Sequence, residues 1–549
     1  MAKARAPKAK STRKPAAKPK PAGRASGRAS PKAGPAKARA AKRTGSKAKA
    51  KVTKTTPEVA KTKPEVAKTK PKVAKTKPKV AKTKAVVAKP EPVAKHNQSS
   101  SMISRPQPVA NRKQSPAKPP SSPPAPKPRP KTAARPLAGT FPLEAARALW
   151  YTRQSLGPGP HEPLPKMIAK SGWLRTLGGA DVYIAARARE PGMSRSDLDG
   201  AVATHALRVL PAVRSCIYLV PEEHASVARH FADGIWRKRT DREVVKAGTS
   251  WEEIRDVGDH VRAALERGPL STHAIRKAFP PSAVRSLGPE GKKLGLSSPL
   301  PIALRDLELR GLIERTLEGG HLDTDQYLWR EAQPTAPEAG HPTLTEQDLL
   351  DSIAKIFFSQ MGPATVADFA TWAGVSQSDA MAAIERIALL PVAIEGYTPV
   401  AYVDDTGFPA LSQPAPLGDH VTFLSFEDNL IVPHGGPGLF CDPAYHAIDV
   451  SSWGLSRPTT LGLAKHLSTR TILVGDKIAG FWELDPDAQE IVTWMFDPND
   501  RALTDHVESE ATTLARFLFE EIGHARSFSL DTDDAVRERA TSLRQRVRA

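Results

Sequence analysis

Cysteine is almost absent from this chain. Only Cys216 and Cys441 occur among its 549 residues, which excludes a disulfide framework and a cysteine-ligated zinc site. No apolar run approaches the roughly 18–20 residues of a membrane-spanning helix, so no membrane partner is expected. The opening MAKARAPKAK leads into no apolar segment, and we expect no secretory signal and a reducing, cytoplasmic setting. Aromatic residues are missing until Phe141. A stretch dominated by Ala, Lys and Pro buries too little apolar surface to offset its ordering entropy, so residues 1–136 are expected to form a disordered tail. Acidic residues are scarce there too. Up to Arg135 there are 39 Lys+Arg against three acids, Glu58, Glu65 and Glu91, whereas the remainder holds 42 against 55. The basic charge therefore sits in the tail and the body is mildly acidic, which points to a polyanion as the tail's partner.

What the tail does contain is a heptad repeat, with copies beginning at Pro57, Pro64, Pro71 and Pro78. Proline in every seventh place excludes a coiled coil. The composition resembles the tail of a linker histone or a bacterial histone-like protein. A flexible polycation on DNA releases condensed counterions and binds without reading sequence. Charge alone does not separate DNA from RNA. Residues 114–136 turn Pro-rich and are expected to act as an extended, semi-rigid spacer.

The body, from about residue 138, alternates helical and strand periods and is expected to be α+β. Its clearest stretch is 298–329. Leu300, Ala303, Leu304 and Leu307 form one apolar helix face. Ser298 can cap that helix, Pro299 suits its first position, and Gly311 closes it. Strands over 312–317 and 326–329 flank a turn at 318–320. Helix, strand, Gly-rich loop and strand is the ending of a winged helix, with another small α+β hairpin unit as the alternative. Residues 342–412 repeat the grammar, with helices 365–373 and 376–388 around Gly374 at helix-turn-helix spacing. Strands are expected at 421–425, 471–474, 477–483 and 491–496, then a helix over 503–522. Residues 526–530 are expected to return to the sheet. The expected domains are the tail 1–136, winged helices over 138–247, 248–333 and 342–412, a β-rich domain over 417–530, and a charged, solvated tail over 531–549.

Several chemistries drop out. His224 and His230 stand six apart, missing the i, i+4 spacing of a helical zinc pair, and no metal or cofactor is expected. Gly288-Pro289-Glu290-Gly291-Lys292-Lys293 lacks the spacing of a phosphate loop. The connection 279–297 is long enough to be a functional insertion. Its Lys292 and Lys293, together with Arg276, Lys277, Arg305 and Arg310, are candidate contacts to a DNA backbone, although Asp306 and Glu308 oppose the last two.

The order of elements carries five phrases: LGGADVYIAARAR (177–189), VRSCIYLVPEEH (213–224), GPATVADFATWAG (362–374), SFEDNL (425–430) and VGDKIAGFWEL (474–484). Over roughly 141–530 the chain resembles the winged-helix family of AlkZ-like crosslink-repair DNA glycosylases. The resemblance implies three tandem winged helices, a β-rich C-terminal domain, and a concave face holding double-stranded DNA. Catalytic members carry Gln-x-Gln or Gln-x-Asp just before the Tyr-containing helix. Anchored on Tyr183, those positions fall on Arg175, Thr176 and Leu177, so neither Gln is present. The family's His in the next strand falls on Tyr218, with Arg214 retained. After Asp428-Asn429 the family's basic residues give way to Ile431-Val432-Pro433-His434. Excision of a base needs a carboxylate or amide near the anomeric carbon to stabilise an oxocarbenium-like sugar and position water. Arg175 repels such a cation and Leu177 offers no hydrogen bond. Asp181, four residues on, is the candidate substitute, and Arg175, Arg214 and Tyr218 join the candidate DNA contacts. We expect a nucleoid-associated monomer on DNA, either a monofunctional glycosylase or a non-enzymatic nucleoid-architecture protein.

Overall fold

The computed structural model describes residues 135–157, 162–280, 282–324, 326–333, 344–452 and 454–548. The expectations for the basic tail and its heptads lie outside the described residues. Helix Leu300–Leu309 forms where its apolar stripe predicts, although Pro299, not Ser298, occupies the N-cap. Leu300, Ala303, Leu304 and Leu307 are all buried, and Leu307 packs against helix Trp251–Leu265 at Gly258. Gly311 takes the left-handed conformation, φ 69°, that lets the chain reverse into strand Ile313–Thr316. That strand pairs with Leu328–Glu331, which also pairs with Leu270–Ser271, making a three-stranded antiparallel sheet.

Two further helix-and-sheet units flank this one. In the earlier unit, helices Leu164–Ser171, Asp181–Arg187 and Arg195–Ala203 accompany strands Leu174–Arg175, Ile217–Pro221 and Leu207–Pro211, with the middle of these at the centre of the sheet. In the later unit, Thr345 and Thr365 form capping boxes with Asp348 and Asp368, because each hydroxyl and each carboxylate satisfies an otherwise orphaned N–H. Helices Val366–Ala373 and Gln377–Arg386 meet at Gly374, and strands Leu390–Ile394 and Tyr397–Val403 follow.

One expected boundary moves. Strand Gly139–Phe141 pairs in parallel with Leu390–Ile394, Gly139 opposite Val392. Helix Leu143–Arg153 packs into the same core, which includes Trp150, Val392, Ile394 and Val403. Arg153 donates to the Phe358 carbonyl at 2.6 Å and to Asp404 at 2.5 Å. The start of the body therefore joins the third unit and not the contiguous 138–247 unit the sequence suggests, because sheet completion outweighs proximity along the chain.

The C-terminal part is a four-stranded antiparallel sheet in the order Val421–Phe423, Arg470–Val474, Lys477–Asp485, Glu490–Met495. Its core merges with that of the first unit. Tyr183 and Ile184 pack in one cluster with Phe423, Ile472, Trp482, Leu514 and Phe517. Residues 526–530 form no strand, contrary to expectation. They run as a strap along 177–180, with Ala180 N–H donating to the Arg526 carbonyl at 2.7 Å and Ser529 N–H to the Leu177 carbonyl at 2.9 Å. The approach is so close that a Cβ on Gly179 would meet Arg526 O and Phe528 N at 2.5 Å. Only glycine fits at position 179 of LGGAD under this crossing.

The chain's end is also not a solvated tail. Asp533–Arg548 is a helix whose Val536, Ala540 and Leu543 are buried, an i, i+4, i+7 stripe obscured in the sequence by five arginines. Arg539 donates to Glu483 at 2.5 Å and to Asp531 at 2.8 Å. Among the described residues no helix is long and apolar enough to cross a membrane. Arg539→Ala strips two buried carboxylates of a partner and is expected to cost about 2–3 kcal/mol in urea unfolding. Arg537→Ala, losing only solvent-screened surface pairs with Asp487 and Asp534, is expected to leave the unfolding midpoint nearly unchanged. Equal costs would overturn the structural role of this helix.

Candidate functional site

Where the first unit meets the C-terminal sheet there is a cleft of about 30 Å3, lined on one side by Arg175, Leu177 and Asp181 and on the other by the 425–429 loop and Ser527. The cleft has room for one or two waters and not for a nucleobase. Three things place Asp181 there: it opens helix Asp181–Arg187, Gly178 turns the preceding chain at φ 75°, and the strap clamps 177–180.

Asp181 is held by one residue. Its Oδ1 accepts from Arg470 Nε at 3.0 Å and Nη2 at 2.7 Å, while Oδ2 has no hydrogen-bond partner among the described residues. Burial pushes the carboxyl up to about 6, with Arg470 pulling it back and Glu483 pushing it further up. Arg470, 1% exposed, also ion-pairs with Glu483. It donates to the Ala525 carbonyl at 2.7 Å and to Ser527 Oγ at 2.8 Å, and its guanidinium lies over the Trp482 ring.

The facing loop is anchored by its neighbours. Asp428 accepts two bonds from Arg189 at 3.0 and 2.8 Å, and further bonds from Ser425 Oγ and Leu430 N–H. Asn429 donates to the Trp173 carbonyl at 2.8 Å. Between them and Phe426 stands Glu427, a non-glycine residue at φ 58° whose side chain is only 8% exposed. One carboxylate oxygen, Oε2, accepts from His466 Nδ1 at 2.8 Å and lies 3.9 Å from Arg175 Nη1. The other, Oε1, has no hydrogen-bond partner among the described residues, and neither does Arg175 Nε.

The candidates read from the sequence separate into groups. Arg175 and Asp181 line the cleft. Tyr218 lies opposite Arg175 across paired strands and accepts from Arg214 Nη2 at 3.0 Å, so these three come together. Arg276, Lys277, Lys292 and Lys293 are exposed on the second unit, Lys293 pairing with Glu290 at 2.6 Å. Arg305 points into packing instead of solvent, donating to the Ser215 carbonyl at 3.1 Å beside Glu308. Arg310 pairs with Asp306 at 3.3 Å. Arg285, from the same connection as Lys292, is tied to Glu253 at 2.7 Å. His224 accepts from Trp173 Nε1, and His434 is buried between the Leu430 and Met361 carbonyls, so both serve packing. Glu427, His466 and Arg470, which the structure brings to the site, match no catalytic spacing in the sequence. The signal that the sequence offers for Glu427 is an extra acid inside the SFEDNL phrase.

A water placed in the cleft would meet two carboxylates with unsatisfied oxygens, one restrained by a guanidinium and one by an imidazole. That arrangement can deprotonate water or stabilise a nearby cation. The model of the DNA glycosylase AlkZ-like family matches residues 176–517. Among solved structures the fold is similar to the Streptomyces sahachiroi DNA glycosylase AlkZ, with 16% identity and a TM-score of 0.53 over 69% of this chain and 97% of that one. No curated protein matches the sequence.

With its carboxyl held at about 6 against about 4 in an unfolded chain, Asp181 makes folding take up a proton. Its stabilising contribution is complete below about pH 4 and is lost as the pH rises through about 6. Asp181→Asn imitates the protonated acid and leaves Arg470 an acceptor. Apart from a constant offset, the variant's unfolding free energy is expected to gain on the wild type by up to about 3 kcal/mol between pH 4 and 6.5, then level off. A difference independent of pH would overturn this.

Proposed function

The chain belongs to the AlkZ-like DNA glycosylase family, and from that premise we propose that it binds duplex DNA and hydrolyses the N-glycosidic bond of alkylated or crosslinked bases at the cleft around Asp181. One observation carries the reading. The positions that fall on the family's glutamine motif, Arg175 and Leu177, line the same cleft as a carboxylate with an unpartnered oxygen. Asp181 stands close enough to the absent motif to take over the stabilisation of an oxocarbenium-like sugar. The three helix-and-hairpin units are read as winged helices that hold the duplex. Exposed Arg276, Lys277 and Lys292 contact its phosphates, while Tyr218, 1% exposed and packed in the core, serves to hold Arg214 and does not itself meet DNA. The protein acts as a monomer at the nucleoid.

The basic tail supplies sequence-independent affinity. With 39 basic residues against three acids, it draws to DNA a body whose own net charge is negative, and each phosphate it neutralises steepens the salt dependence.

The test is incubation of the full chain with duplex DNA carrying alkylated bases or nitrogen-mustard crosslinks, followed by alkaline cleavage at abasic sites. Abasic product from the wild type, reduced about 100-fold in Asp181→Asn at unchanged DNA affinity, is the expected result. No abasic product from any of these substrates would leave the second reading, a non-enzymatic nucleoid-architecture protein. That reading is favoured by the presence of Arg and Leu where the family's amides belong. Deleting residues 1–136 is expected to weaken DNA binding and flatten its slope against salt concentration; an unchanged slope would remove the tail from the interface.

A further inference from the structure

We propose that Glu427 is the catalytic carboxylate that activates water in this cleft and that His466 is its positioning residue, an assignment that rests on the glycosylase reading above. Of the three acids on the cleft wall, two, Asp181 and Glu427, keep an oxygen without a hydrogen-bond partner among the described residues, and Glu427 is the one whose charge is not engaged by a guanidinium at hydrogen-bond distance. Asp428 is saturated by Arg189, Ser425 and the Leu430 N–H. Asp181 has one oxygen, Oδ1, taken up by both bonds from Arg470, which offsets much of its charge and leaves it to act on the sugar through Oδ2 and not as the base. Glu427 has no such guanidinium bond, since Arg175 stays 3.9 Å away. Its Oε1 is buried, lines a space the size of a water, and has no hydrogen-bond partner among the described residues. Buried carboxylate oxygens are normally satisfied, so one that is not calls for a ligand.

The backbone points the same way. Glu427 holds φ 58°, a conformation L side chains adopt rarely and at a cost. Glycine would take this position without strain, and the fold carries glutamate instead. The neighbours on its C-terminal side are locked, Asp428 to Arg189 and Asn429 to the Trp173 carbonyl, so the strain is imposed from outside and turns the carboxylate into the cleft. His466 then fixes its orientation. The Nδ1–H donates to Oε2 at 2.8 Å, leaving Oε1 as the basic oxygen.

In the step this permits, the C1′–N bond of the damaged nucleotide breaks and its electron pair leaves on the base nitrogen. A base made cationic by N-alkylation departs neutral and needs no proton. The water oxygen bonds to C1′, and the proton it releases passes to Glu427 Oε1. Asp181 stabilises the positive charge that develops on the sugar.

The test is single-turnover excision by the full chain on a duplex oligonucleotide bearing one N7-methylguanine. Glu427→Gln is expected to lower the rate at saturating enzyme about 100-fold or more, with DNA affinity within about twofold of the wild type. Glu427→Gly relieves the backbone and is expected to keep or raise the thermal midpoint while being equally slow, which separates chemistry from folding. His466→Ala is expected to lose about tenfold in rate without loss of affinity, and His466→Asn, whose amide can donate to Oε2, to recover part of it. An active wild type whose Glu427→Gln variant stays within about threefold of it overturns this assignment alone. An inactive wild type overturns the glycosylase reading and this assignment together.

Discussion

A guanidinium that is 1% exposed cannot stay in a protein interior unless its charge and its N–H groups are met. Arg470 is met from three separate stretches of the chain: Asp181 in the first unit, Glu483 in the adjoining strand, and Ala525 with Ser527 in the strap. Arg539 from the last helix then shares Glu483 and reaches Asp531. One buried cation thus joins the two walls of the cleft and recruits the chain's final helix. It also sets the character of Asp181. The same bonds that place the carboxylate in the cleft take up one of its oxygens and much of its charge, so Asp181 is anchor first and reagent second.

Features with a local cause could be read directly from the residues. Capping hydroxyls three residues before an acid, a stripe at i, i+3, i+4 and i+7, and a glycine after the last apolar position placed helices such as Leu300–Leu309 and Val366–Ala373 to within a residue or two. Features with a distant cause could not. The parallel pairing of Gly139–Phe141 with Leu390–Ile394 joins residues some 250 positions apart, and no periodicity in either segment records the other. The strap over 177–180 has no strand pattern, since what fixes it is a close backbone crossing at Gly179. The last helix reads as a solvated tail because arginines dominate it, yet those at 539 and 544 carry ion pairs to the sheet.

The site divides along the same line. Asp181 could be reached from Tyr183 by counting along one helix. Glu427 could not, because what distinguishes it is a positive φ and an oxygen left without a partner, and neither is a property of residue type. Arg305 shows the converse error. On an isolated amphipathic helix its position is polar and solvent-facing, but here the helix's outer side is covered by the first unit at Ser215.

Arg175 and Glu427 are best understood as one change. On its own, an arginine at a motif position is hostile to catalysis, because a cation beside the anomeric carbon raises the energy of an oxocarbenium-like state in a site where low dielectric strengthens the repulsion. With Glu427 Oε2 3.9 Å from Arg175 Nη1 across the cleft, the two charges offset each other at long range, while Oε1 stays available at short range. The negative potential that the glutamine motif would have supplied as dipoles from one wall is then supplied as a carboxylate from the other. Replacing Arg175 by glutamine alone would not recreate the family's arrangement, because it would leave Glu427 with less countercharge in a buried site. On the proposed reading, the motif is not so much lost as moved to the facing loop, and the basic tail adds long-range attraction to a body whose own net charge is negative.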